Sequence, residues 1–68
     1  MREHRELRDS ADVLAVAPAE AARLAGVGRT TIYEAIGAGA LRSVKIGKRR
    51  LITIEALRAW LLAHEVAA

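Results

Sequence analysis

The sequence predicts a mostly α-helical domain with one small β-hairpin, in the order helix, helix, hairpin, helix. Three observations lead there. Two short segments of helical apolar spacing are separated by Gly26-Val27-Gly28. After Leu41 the period falls to two, with Val44 and Ile46 alternating with Ser43 and Lys45. Farther on, Ile54, Leu57, Trp60 and Leu61 return to helical spacing.

Each element follows from local chemistry. Residues 1–12 are polar, with Leu7 the only large apolar side chain after Met1. They are expected to form a flexible charged tail, at most a frayed helix, because there is little to bury. Residues 13–68 are then the domain. Val13 to Val16 is a short apolar run, read as extended. Pro18 suits the first position of a helix, where its missing N–H has no partner to lose. Glu20 favours the same helix start through the dipole. This helix should run from residue 18 to about 25, with Ala21, Leu24 and Ala25 on its apolar face and Gly26 as its stop. Gly28 caps the next helix, residues 29 to about 38, whose apolar face is Ile32, Ala35 and Ile36. Gly39 ends it. Val44 to Ile46 should be a half-buried strand. Gly47-Lys48 fits a two-residue type II′ turn, glycine taking the first position. The chain returns over residues 49–52, and Thr53 caps a last helix to about residue 64. The expected core is Leu24, Val27, Ile32, Ile36, Leu41, Val44, Ile46, Ile52, Leu57, Trp60 and Leu61. Two short helices joined through glycines, followed by a hairpin, define the winged helix-turn-helix class.

Size and composition narrow the function. The chain has 68 residues and no cysteine, so disulfides and thiolate metal sites are excluded. His4 and His64 lie at opposite ends, with no cluster of metal-ligand spacing between them. No phosphate loop or nucleophile–base pair is legible, so no catalytic residue, metal or cofactor is expected. No apolar run nears the roughly 20 residues of a membrane helix, and no signal peptide is evident. The expected location is cytoplasmic, on the nucleoid when bound to DNA. The formal charge is +3. It is uneven: residues 1–12 set three arginines against four acids, whereas residues 13–68 hold eight basic and four acidic side chains. Arg42, Lys45, Lys48, Arg49 and Arg50 fall within nine residues that contain no acid. Such a cluster suits a polyanion such as DNA, although charge runs also serve as solvated surface. Arginine outnumbers lysine nine to two and alanine is abundant, a bias common in GC-rich genomes.

Three runs carry a resemblance. They are Pro18-Ala19-Glu20-Ala21-Ala22-Arg23-Leu24-Ala25-Gly26-Val27-Gly28-Arg29-Thr30-Thr31-Ile32-Tyr33, then Gly39-Ala40-Leu41-Arg42-Ser43-Val44-Lys45-Ile46-Gly47-Lys48-Arg49-Arg50, then Glu55-Ala56-Leu57-Arg58-Ala59-Trp60-Leu61. In this order and spacing, over about residues 16 to 64, the chain resembles the excisionase family of MerR-like winged helix-turn-helix domains. The sequence departs from that pattern at Gly28, where the family usually has serine, at Arg42, where proline is common, and at Glu34, often basic in relatives. A carboxylate at Glu34 could accept from a cytosine amino group, face solvent or repel phosphate.

The resemblance makes the second helix the recognition helix, with Arg29, Thr30, Thr31 and Tyr33 in its first turns, where such helices meet bases. Arg29 can pair with guanine O6 and N7. The threonines can bond phosphate or touch a thymine methyl. Tyr33 can reach a phosphate, or serve equally as a half-buried core ring. The hairpin becomes the wing, directing Lys45, Lys48 and Arg49 at the backbone or minor groove; the alternative is a charged edge that deters strand pairing. Arg23, Gly28, Arg42 and Arg50 are further candidates for phosphate contacts. For Arg23 a solvated helix face is an equal reading, and strand alternation sets Arg50 on the side of Ile52. Trp60 belongs to the core, and His64 suits a helix C-terminus.

The resemblance implies a recombination directionality factor. Such a protein binds and bends attachment-site DNA and turns an integrase toward excision. Its partners would be double-stranded DNA, an integrase or recombinase, and further copies of itself bound cooperatively. The alternative is a small MerR-like transcriptional regulator or repressor without an effector domain. A third reading is a protein-interaction module that has lost DNA binding, against which the basic wing speaks. After the last helix come His64-Glu65-Val66-Ala67-Ala68, with no heptad run, so a monomer is expected in solution.

Overall fold

The structure, a computed structural model, describes residues 13–65; the expected tail, residues 1–12, lies outside the described residues. Among the described residues the elements are β1 (Ala15–Val16), α1 (Pro18–Ala25), α2 (Arg29–Gly37), β2 (Val44–Ile46), β3 (Arg49–Thr53) and α3 (Ile54–Ala63). They form a winged helix-turn-helix: three helices beside an antiparallel sheet in the order β1-β3-β2.

Turns and caps fix the helix ends. Gly26 is left-handed at φ 77°, and its N–H donates to the carbonyls of Ala22 (2.9 Å) and Arg23 (3.3 Å). The Val27 N–H donates to Ala22 O at 3.0 Å. These bonds make a Schellman motif, which reverses the chain between α1 and α2 while satisfying carbonyls that the helix leaves open. The same device closes α2: Gly39, at φ 80°, donates to Ile36 O (3.1 Å), and Ala40 donates to Ala35 O (2.9 Å). At the start of α3 the Thr53 hydroxyl accepts from Ala56 N at 3.0 Å. At its end His64 Nδ1–H donates to Trp60 O at 2.9 Å, with the two rings edge to face. Gly47 has φ 62° and no non-glycine residue has positive φ among the described residues, as a type II′ turn requires.

The short apolar run before α1 does more than extend. Ala15 pairs with Thr53 and Val16 with Ile52, so β1 becomes a third strand beside β3. The Ile54 N–H donates to Leu14 O at 2.9 Å and continues that tie to the first residue of α3.

The core is Ala21, Ala22, Ile32, Ala35, Leu41, Ile52, Ala56, Leu57 and Trp60, with Val16, Ala25, Val27 and Ile36 partly buried against it. Four expected core residues are instead exposed: Leu24 (49%), Val44 (43%), Ile46 (65%) and Leu61 (41%). The reasons are geometric. The buried stripe of α1 runs through Pro18, Ala21 and Ala22, and Leu24 lies off its edge. That of α3 runs through Ala56, Leu57 and Trp60, leaving Leu61 off its edge. Val44 and Ile46 occupy the sheet face away from Ile52, so β2 is exposed throughout rather than half-buried. Alanines take the vacated role because α1 packs against α2 and α3 at close range.

Ile52 has no exposed surface, so Ile52→Ala should cost about 2–5 kcal/mol in urea unfolding. A Cβ at Gly26 would meet nothing within 4 Å, so Gly26→Ala should cost only the left-handed backbone penalty, about 1–2 kcal/mol. Gly28 has φ −77° and open space around it, so Gly28→Ser should instead raise stability by a few tenths of a kcal/mol through a new N-cap.

Candidate nucleic-acid interface

Helix α2 buries Ile32 and Ala35 and half-buries Ile36. At about 100° per residue, the direction opposite these is held by Thr30, Glu34 and Gly37. Tyr33 flanks that line on the Ile36 side and Thr31 on the Ala35 side, while Arg29 points the way of Ile36, two turns before it, at the first position of the helix. All six are exposed. Arg29, Thr30, Tyr33 and Glu34 line one shallow concavity. Tyr33 is 53% exposed, which sets its ring outside the core. Gly28 precedes the helix in extended conformation and gives no side-chain cap.

The hairpin register distributes the wing cations over two faces. Lys45 stands opposite Arg50, and Ile46 opposite Arg49. Residues directly opposite share a face. Lys45 and Arg50 therefore lie on the Ile52 side, while Arg49 lies on the other side with Val44, Ile46 and Leu51. Arg50 is nonetheless exposed, because the hairpin extends past the core, and its Nη1 donates to Ser43 Oγ at 3.0 Å. Lys48 sits in the turn and Arg42 on the connection from α2, both exposed. The two-residue turn Gly47-Lys48 is the sequence signal that could have given this register.

Arg23 stands apart from these groups on α1. Its Nε donates to Glu20 Oε1 at 3.0 Å and its Nη2 to Oε2. This hydrogen-bonded guanidinium holds the Glu20 carboxyl below the usual carboxylate range, and the carboxylate in turn raises Arg23 above its ordinary value. Both side chains are well exposed, so the pair adds little stability.

Among the described residues no group of His, Cys, Asp or Glu is arranged to hold a metal ion, and no helix is long and apolar enough to cross a membrane. Residues 18–65 match a family model described as a helix-turn-helix domain. No curated protein and no solved structure gives a match.

The exposed wing cations lie outside the core, so Lys45→Ala, Lys48→Ala and Arg49→Ala should each change the unfolding free energy by less than about 0.5 kcal/mol. Thermal unfolding of the three variants checks this, and losses of binding can then be assigned to lost contacts.

Proposed function

The chain belongs to the helix-turn-helix domain family, and from that premise we propose that it is an excisionase-like DNA-binding factor. It binds and bends attachment-site DNA and directs an integrase toward excision. The observation that supports DNA binding is one open concavity of Arg29, Thr30, Tyr33 and Glu34 on a helix-turn-helix whose hairpin segment carries five basic residues between Arg42 and Arg50. Helix α2 enters the major groove, where Arg29 meets a guanine and Thr30, Thr31 and Tyr33 meet phosphate or thymine methyl groups. The split wing supports an insertion into the minor groove. A hairpin lying on one strand would use cations on one face, whereas Lys45 with Arg50 on one face and Arg49 on the other suits phosphates on both walls. Arg42 and the open N–H groups after Gly28 add backbone contacts. Arg23, already held by Glu20, contributes at most through its remaining N–H groups.

Excision as the task is supported by the three-run resemblance. Copies of a module this small would act together: one such module covers roughly 600–1,000 Å² on DNA, a modest area for selecting a genomic site. Several copies along repeated sites raise selectivity through weak contacts at high effective concentration. Helix-turn-helix domains are typically non-enzymatic, and on this reading the reaction chemistry would belong to the recombinase. A small repressor would use the same surface for transcription control.

Affinity for duplex DNA should fall with salt, and Lys48→Ala with Arg49→Ala should weaken all sequences alike and lower the log–log salt slope by about one unit per lost contact. Arg29→Ala should instead cost about 1–3 kcal/mol and relax preference at one base pair. Salt-independent binding would overturn the wing assignment. The free protein should sediment as a monomer and footprint cooperatively on direct repeats. In a reconstituted reaction with a cognate integrase, it should raise excision and suppress integration. A stable dimer protecting one inverted repeat, with no effect on recombination, would favour the repressor.

A further inference from the structure

Resting on the reading of α2 as the recognition helix, we propose that Glu34 is a base-reading residue that selects cytosine in the major groove. Glu34 lies near the middle of the exposed face of α2, opposite the buried Ile32 and Ala35, with Thr30 one turn before it and Gly37 about one turn after. It shares a concavity with Arg29, Thr30 and Tyr33. A carboxylate in that position lies within reach of whatever the helix face meets.

Its partner must be a hydrogen-bond donor. An ionised carboxylate only accepts, and phosphate oxygens only accept. In the major groove guanine shows N7 and O6 and thymine shows O4, all acceptors that repel it. Adenine offers its N6 amino group beside the acceptor N7. Cytosine offers its N4 amino group with no acceptor of its own on that edge, so it is the base a carboxylate favours. Nothing within the described protein competes for the role. The ion pair among the described residues joins Arg23 to Glu20, and Glu34 has no such partner there. The adjoining Gly37 has no side chain, and a Cβ there would meet nothing within 4 Å, so the groove floor can approach the carboxylate closely.

Glu34 also acts separately from Arg29. Five residues of helix advance about 7.5 Å along the axis, roughly two base-pair steps. The arginine seeks acceptors and the glutamate seeks a donor, so the two would fix different base pairs with opposite chemistry. The carboxylate lowers affinity for DNA in general and raises discrimination, a trade in which repulsion from wrong partners supplies the selectivity.

The test is selection of the purified full chain on a randomised duplex library, followed by titration of single-base variants of the enriched site. The wild-type protein should enrich a site with one cytosine whose replacement by thymine weakens binding about tenfold or more. Glu34→Ala should make the four bases nearly equal at that position and leave the Arg29-dependent position intact. Glu34→Gln should shift the preference there toward adenine, whose N6 and N7 match an amide. If both variants bind every duplex more tightly by one common factor, the carboxylate is merely repulsive and the proposal is overturned. An unchanged preference in Glu34→Ala, with Arg29→Ala still relaxing its own position, overturns the proposal while sparing the recognition-helix reading. A wild-type protein that enriches no sequence overturns both. Circular dichroism of the variants confirms that each is folded.

Discussion

Strand β3 is the constraint on which the rest of the domain depends. It is paired on both sides, with β1 and with β2, and it packs against α1 and α3. Its residue Ile52 is fully buried, and the next residue, Thr53, ends the strand and caps α3. One five-residue segment therefore sets the plane of the sheet, the direction of the wing and the start of the last helix. Helix α2 is positioned at one remove: α1 leans on β3, and α2 is held to α1 through the Gly26 turn and the alanines between them.

Alanine gives this core its character. Ala21, Ala22, Ala35 and Ala56 contribute nearly half of the buried residues, and Ile32, Leu41 and Ile52 are the large side chains that are fully enclosed. Small side chains let helix backbones approach closely and lose no rotamer entropy on burial. They also bury little apolar area, so the large residues carry most of the hydrophobic stabilisation. Added methylenes at such buried positions typically cost about 1–3 kcal/mol through off-rotamer side chains and backbone shifts.

Much of this was legible in the sequence where the signal is local. Pro18, Gly26, Gly39 and Thr53 announce helix ends through dihedral angle and hydrogen bonding alone, and each of them stands at or beside the boundary it marks. The β1–β3 pairing was not legible, because a strand of two residues has no period and its partner lies far along the chain. Nor were the faces. Alternation at Val44 and Ile46 shows that they share a side, but the side that faces the core is set by Ile52 on the neighbouring strand. Leu24 and Leu61 share the helical spacing of the buried stripes yet lie off their edges, while alanines fill the core between the helices. At the candidate interface, helical spacing brought Arg29, Thr30 and Tyr33 together, while the central place of Glu34 depends on which residues of α2 are buried.

The pairing of Ala15 and Val16 with Thr53 and Ile52 also bears on how the domain assembles. Both helices of the helix-turn-helix and the whole of β2 lie between the two partners, so this contact closes a long loop, whereas the α1–turn–α2 unit and the β2–β3 hairpin are each built from near neighbours. Loop closure is an entropic toll that local contacts avoid, which favours early formation of the helical pair and the hairpin and late docking of the first strand. The helical pair and the hairpin are thus the parts with the shortest contacts in sequence, and the latch that completes the fold sits where the described chain begins.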